Sequence, residues 1–239
     1  MKIIATVPTY NEAANIVPLV TEILALGADY HVLVVDDDSP DGTWRLVAEM
    51  SAREPRVGLL HRTTNRGRGT AGLAGFVAAR DAGADAVVEM DADFSHHPRF
   101  IPSLVEPVAD GSADIVVGSR LVAGGGEQGR HAVRTLITRA ANAYIALLLG
   151  LPLRDCTSGF RVFSRRALEA IPWERMTARG PEIVQEVLWE ARCAGLRFAE
   201  RPILFEERRA GQSTFNWRIA VRSLFYIPSL RLRGVAPRR

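Results

Sequence analysis

The chain has almost no lysine: Lys2 is the only one among 30 basic residues. Its basic side is therefore arginine, whose planar forks suit phosphates and carboxylates. Cysteine is nearly absent as well. Cys156 and Cys193 have neither metal-ligand spacing nor the density of a disulfide framework, and read as buried thiols of a reducing cytosol. Aromatics make up 7%, no basic run interleaves with them, and the net charge is only +3, so no nucleic-acid partner is expected. The longest uncharged run, Ala140 to Leu153, is 14 residues, short of the ~20 that a bilayer-crossing helix needs. The opening MKIIATVPTYNE breaks at Pro8 without a long apolar core or small-residue cleavage site, pointing to a cytoplasmic protein. Glycine and proline follow no period, which excludes collagen-like and low-complexity classes.

What is present is ample core material, 47% hydrophobic over 239 residues, enough for one α/β domain. Short β-branched runs at Ile3 to Val7, Val32 to Val35, Val57 to Leu60, Ala86 to Met90 and Ile115 to Val117 predict buried parallel strands. Amphipathic stretches at about Asn15 to Leu26, Thr43 to Ala52, Thr70 to Ala82 and Phe100 to Ala109 predict the intervening helices. Such βαβα alternation predicts an open, mostly parallel sheet with helices on both faces. Pro18 is expected in the first turn of a helix beginning at Asn15, where its missing amide has no partner to lose. Further helices are expected from His131 to Leu149 and Pro181 to Ala194, with short strands around Arg161 to Phe163 and Ile203 to Phe205.

Ligands of such sheets gather at the carboxyl ends of the strands. Three acid-bearing loops lie there. Asp91 and Asp93 follow an apolar strand, and in extended chain residues two apart point the same way, so both can reach one cation. Two carboxylates leave most of an octahedral Mg²⁺ or Mn²⁺ shell open to substrate phosphates; a solvated acidic turn explains the pair equally well. In VVDDDSPDGT, Asp36, Asp37 and Asp38 are candidates for a ribose or base, whereas capping accounts for Asp41. Arg120 and Arg208 border strands at the same edge and are candidate phosphate ligands, with Arg130 and Arg134 beyond a glycine loop. Gly67-x-Gly69-x-x-Gly72, with Asp91 nineteen residues further on, matches a dinucleotide fingerprint, but it follows the third strand, and the first strand-to-helix turn has no glycine. His96 and His97 lack metal-ligand spacing and read as structural.

Seven blocks then stand in one order: VPTYNE from Val7, VVDDDSPDGT from Val34, NRGRGTA from Asn65, DADFSHHP from Asp91, VGSR from Val117, DCTSGFR from Asp155 and RRAGQS from Arg208. Together they resemble the polyprenol-phosphate (dolichol-phosphate) mannose synthases of inverting glycosyltransferase family 2. The likeness runs from residue 3 to about 215. It implies a single GT-A (Rossmann-like) domain over residues 1–214 and metal-dependent transfer of mannose from GDP-mannose to a polyprenyl monophosphate. It implies that Pro8, Tyr10, Glu12 and Asp38 hold the nucleoside with Asp36 and Asp37 nearby. Asp91 and Asp93 would hold Mg²⁺ or Mn²⁺ and the diphosphate, Arg120 and Arg134 would face the phosphates, and Arg208 would close over the diphosphate. Ser95, which stands where the family often has a glutamine ligand, would be a further metal ligand, and Thr214 stands where a lysine often follows the loop motif. Alternatives remain: a UDP-sugar donor, or a saccharide hydroxyl acceptor, which would require a catalytic carboxylate.

Residues 215–239 mix Trp217, Leu224, Phe225, Ile227 and Leu230 with arginines. From Arg208 onward there are eight arginines and no acid, a pattern that suits a segment lying on an anionic membrane face. The expected location is thus cytoplasmic and peripheral at the membrane, with room for a separate membrane-embedded partner. A last helix packed on the domain is the competing reading.

Overall fold

The computed structural model describes residues 1–129, 132–206 and 226–232, with the backbone alone for 132–134. In chain order its elements are β1 (Ile3–Thr9), α1 (Ala13–Leu24), β2 (Tyr30–Asp36), α2 (Thr43–Ser51), β3 (Val57–His61), α3 (Arg68–Asp81), β4 (Ala86–Glu89), α4 (Ile101–Ala109) and β5 (Ile115–Ser119). There follow β6 (Gly126–Glu127), α5 (Ala132–Leu149), β7 (Arg161–Ser164), α6 (Arg165–Ala170), α7 (Ile183–Cys193), β8 (Phe198–Pro202) and β9 (Leu204–Phe205). A seven-stranded sheet runs in the order β3-β2-β1-β4-β7-β5-β8, and β6 pairs with β9 in a small second sheet. The strands are parallel except β7, which is antiparallel to both β4 and β5. Because β7 runs the other way, the chain that leads into it, residues 155–160, lies at the carboxyl edge of its neighbours.

Alternation along the strands builds a core on each face. Ile3, Ala5 and Val7 of β1 pack with Ile16, Leu19 and Ile23 of α1 and Leu104 of α4. Ile4 points the other way and joins Phe76 of α3, Ile145 and Leu149 of α5 and Val187 of α7. At about 25 cal/mol per Å² of apolar surface, these two faces supply the main stabilisation of the sheet.

Helix α1 begins at Ala13, two residues before the position expected. Its first amides are satisfied from a distant loop: the Ala13 amide donates to Asp41 Oδ2 (3.0 Å) and the Glu12 amide to Thr43 Oγ1 (3.0 Å). Pro18 therefore lies beyond the first turn, and the Ala14 carbonyl loses a helical donor; both residues are exposed, so water replaces it. Strand β8 carries no β-branched run to mark it in the sequence. Its residues, Phe-Ala-Glu-Arg-Pro, include two charged side chains and none is fully buried, as an edge strand permits.

Residues 226–232 are helical and pack on the domain. Ile227 and Leu230 are buried in the core cluster that also holds residues of α5 and α7, and Arg231 donates to the Leu148 carbonyl (3.0 Å). These two apolar residues, expected to face a membrane, face the core instead. The expected boundary at residue 214 lies outside the described residues. Among the described residues no helix is long and apolar enough to cross a membrane.

Candidate active site

Four non-glycine residues have left-handed backbone, Asn11, Asp38, Asn65 and Phe94, and they lie in the loops that follow β1, β2, β3 and β4. Asparagine and aspartate tolerate this region, whereas a phenylalanine there is strained. The sharp turns fold these four loops over one edge of the sheet.

The acids after β2 divide by role. Asp36 is fully buried and accepts from the Thr9 hydroxyl (2.7 Å), the Ser39 amide (2.9 Å) and the Ser39 hydroxyl (2.7 Å). It ties the end of β1 to the β2 loop. Asp37 pairs with Arg62 (2.9 Å) and accepts from the Gly67 amide (2.7 Å), latching the loop after β3. Asp41 accepts from the Thr43 amide (3.0 Å) and hydroxyl (2.6 Å) as well as from Ala13, so it caps α2, as expected, and α1 too. Asp38 is half-buried; it meets His61 Nε2 (3.0 Å) and Arg66 (3.3 Å). With Tyr10, Ser39, Trp44, Arg45 and Arg66 it lines a hollow of about 410 Å³, in whose wall Trp44 stacks on His61 at 4.5 Å. Of the residues assigned to the nucleoside, Tyr10 and Asp38 thus reach this hollow. Pro8 is half-buried at the end of β1, and the Glu12 carboxylate accepts from Asn15 (2.7 Å).

The Asp91-Ala92-Asp93 turn leaves β4 at the centre of the edge. Asp93 is buried, and its Oδ1 accepts from the Ser95 amide (3.0 Å) and hydroxyl (2.6 Å). Ser95, expected as a further cation ligand, here orients Asp93. Asp91 is 29% exposed and pairs with Arg68, the first residue of α3. The Asp91 charge, with Glu89 and Asp93 nearby, outweighs desolvation and raises the Arg68 guanidinium above its usual range. His96 Nδ1 accepts from the Asp91 amide (3.3 Å) and its ring stacks on Phe160. Burial pushes this imidazole below the usual histidine range, against the pull of Asp91 and Asp93, in keeping with a neutral, structural ring. His97 caps a 3₁₀ turn by accepting from the Arg99 amide (3.3 Å).

Arg120 is almost buried. It donates through Nε to Asp155 Oδ2 (2.7 Å) and through Nη2 to Asp155 Oδ1 (2.7 Å) and Thr157 Oγ1 (2.7 Å), while Nη1 meets Glu127 Oε1 (3.2 Å). A guanidinium so held clamps the end of β5 to the loop before β7 and to β6. Burial alone would raise the Asp155 carboxyl, but the Arg120 hydrogen bonds and charge outweigh it and hold it below the usual carboxylate range. Arg134 lies on α5, its side chain outside the described residues; Arg130, Arg208 and Thr214 also lie outside them.

Sequence reasoning missed Asp155 and Glu127, as it missed the ion pair beneath the turn. Glu89, two residues before Asp91, accepts from Arg161 Nε (2.9 Å) and Nη2, and both side chains are buried. The glycine motif at 67–72 has a packing explanation: a Cβ on Gly69 would stand 2.7 Å from the Arg179 carbonyl carbon, so the glycine lets the 178–179 backbone dock on α3. Cys156 is buried, its thiol pushed up to about 12 by burial; Cys193 is half-buried.

Asp91 and Asp93 offer hard oxygen donors, the chemistry Mg²⁺ and Mn²⁺ prefer. Among the described residues no group of three or more His, Cys, Asp and Glu side chains is placed to enclose a metal. The pair therefore fits a cation that takes its remaining ligands from substrate and water.

Residues 5–171 match the profile of Glycosyl transferase family 2. The chain is 37% identical over 229 residues to the polyprenol monophosphomannose synthase of Mycolicibacterium smegmatis, covering 95% of this chain and 86% of the relative. It is 38% identical over 216 residues to the undecaprenyl-phosphate mannosyltransferase of Micrococcus luteus, covering 90% and 88%. Its fold is similar to that of glucosyl-3-phosphoglycerate synthase from Mycobacterium tuberculosis, solved with Mn²⁺, UDP-glucose and glycerol 3-phosphate. There the TM-score is 0.67 and the identity 25%, with 99% of this chain and 81% of that chain covered.

Proposed function

Since the chain belongs to glycosyl transferase family 2 and is a glycosyltransferase of GT-A fold, we propose that it transfers mannose, with inversion, from GDP-mannose to a polyprenyl monophosphate. The observation that carries this reading is the 37% identity, over 95% of the chain, to a polyprenol monophosphomannose synthase. The carboxyl edge of the sheet supports it, since an exposed hollow beside Tyr10 and Asp38 lies on the same edge as the Asp91 and Asp93 pair.

A lipid monophosphate has a second pKa near 6, so at neutral pH it is already an anionic nucleophile and needs no general base. The chain's task is to orient the two phosphate groups and hold the charge that leaves. A divalent cation bound at Asp91 and Asp93 would neutralise the departing diphosphate. Ser95 fixes the Asp93 carboxylate for that role, and Phe94 and His96 brace the turn. Arg120, clamped by Asp155 and Glu127, fixes the loop at the end of β5 where the donor phosphates would lie; Arg208 and Arg134 supply forks for phosphate. Leu136, Ile137 and Leu147, exposed on α5, together with the basic residues 215–239, favour a peripheral place at the cytoplasmic face of a membrane, where the acceptor resides, with or without a membrane-embedded partner.

The test is to incubate the protein with Mn²⁺ and polyprenyl phosphate in separate pools of GDP-mannose and UDP-glucose. Consumption of GDP-mannose is the expected result. Consumption of UDP-glucose alone would replace the donor in this reading.

A further inference from the structure

We propose that Arg68 is the resident counter-ion of the cation site, holding the Asp91 carboxylate until a divalent cation displaces it. This rests on the metal reading of Asp91 and Asp93 given above.

Arg68 Nη2 is in ion-pair contact with Asp91 Oδ1, and the two side chains are 35% and 29% exposed. The pair therefore sits at the mouth of the site, unlike Glu89 and Arg161 beneath it, which are 2% and 0% exposed. The floor under the guanidinium is Gly159. A Cβ there would stand 2.9 Å from Arg68 Nη2 and 3.8 Å from Asp91 Oδ2, so the absence of a side chain at 159 leaves the space the guanidinium uses. Arg68 opens α3 and Gly159 precedes β7, so two separate elements shape the same position beside Asp91.

A guanidinium and a divalent cation on one carboxylate repel each other. Because Arg68 and the cation compete for one carboxylate, removing Arg68 should strengthen metal binding by about tenfold or more. The displaced guanidinium then lies next to the bound cation, where a nucleoside diphosphate gives it a new partner through a charge-assisted fork. Nucleotide and metal should consequently favour each other's binding, and part of that coupling should run through Arg68.

The experiment titrates Mn²⁺ into the full chain, with free Mn²⁺ read by electron paramagnetic resonance, with and without GDP. Without GDP, Arg68→Gln should bind Mn²⁺ at least about tenfold more tightly than wild type, and Arg68→Lys, which keeps the charge, within about threefold of it. GDP should tighten Mn²⁺ binding more in wild type than in Arg68→Gln. The pair is partly exposed, so the variant should melt close to wild type; Arg68→Met, which keeps the aliphatic stem, gives an independent second reading. Mn²⁺ binding that is unchanged or weaker in both neutral variants overturns the inference while leaving the metal reading intact. Failure of every protein to bind Mn²⁺ even with GDP overturns the metal reading and this inference with it.

Discussion

Replacing Arg161 by methionine should destabilise the fold strongly although Arg161 touches no solvent. Its side chain is 0% exposed and its partner Glu89 2%. The guanidinium spends Nε and Nη2 on Glu89 Oε2 and Nη1 on the Val184 carbonyl (3.1 Å). Methionine fills most of the volume but leaves a buried carboxylate and a carbonyl without these donors. Breaking a buried pair from one side costs about 3–5 kcal/mol, and at roughly 2–4 °C per kcal/mol for a domain of this size the melting temperature should fall by ~6–20 °C. Circular dichroism melts read the loss. The double variant Glu89→Leu with Arg161→Met removes both charges and should recover most of the loss. A single variant melting within about 3 °C of wild type, well short of the fall expected for a half-broken buried pair, would refute the reasoning, as would a double variant worse than either single one.

Asp93→Asn should leave the melt near wild type, since Ser95 can still donate to the remaining carbonyl oxygen, but lower turnover by at least about 10²-fold, by analogy with lost transition-state stabilisers; a rate near wild type in Mn²⁺ contradicts the metal role. Acid should weaken the fold in a defined window. Hydrogen bonds from Arg197 hold the Asp114 carboxyl below its usual value, and Arg120 outweighs burial to do the same at Asp155. Each therefore stabilises the fold above the ordinary carboxylate pKa near 4 and ceases to do so as pH falls through its lowered folded value. Urea midpoints from about pH 7 down to about 2.5 should stay level on account of these two groups until about pH 4 and then drop, and Asp114→Asn should flatten part of that drop. Gly69→Ala sets a methyl against the Arg179 backbone at 2.7 Å and should cost about 1–3 kcal/mol by overpacking. Its unfolding midpoint checks this, and a wild-type midpoint would show that the 178–179 loop yields.

Elements whose signal is local were legible in the sequence. The β-branched runs of β1 to β5 feed two cores, and their strict alternation with amphipathic helices dictates a mostly parallel sheet. What escaped is set by residues far apart. Helix α1 starts at Ala13 because Asp41, 28 positions away, accepts its first amide. Strand β7 was expected around Arg161 to Phe163, but its reversed direction and central place were not, since they rest on the pairing of Arg161 with Glu89, 72 positions away. The D-x-D turn was legible as an acidic pair at a strand end. Its occupant Arg68 was not, since 23 positions separate it from Asp91 and its motif read as a glycine loop. For Asp36, Asp37 and Asp38 the sequence suggested nucleoside contacts, whereas Asp36 and Asp37 also brace the loops that shape the hollow.

The most direct test of the account is the product itself. Purified full-length protein, GDP-mannose labelled in the sugar, Mn²⁺ and a polyprenyl monophosphate should yield label in the organic phase, and NMR of that lipid should show mannose joined through phosphate with the anomeric configuration opposite to the donor's. Label that stays in the aqueous phase, transfers equally to polyprenol lacking phosphate, or appears with retained configuration would contradict inverting transfer to a lipid phosphate.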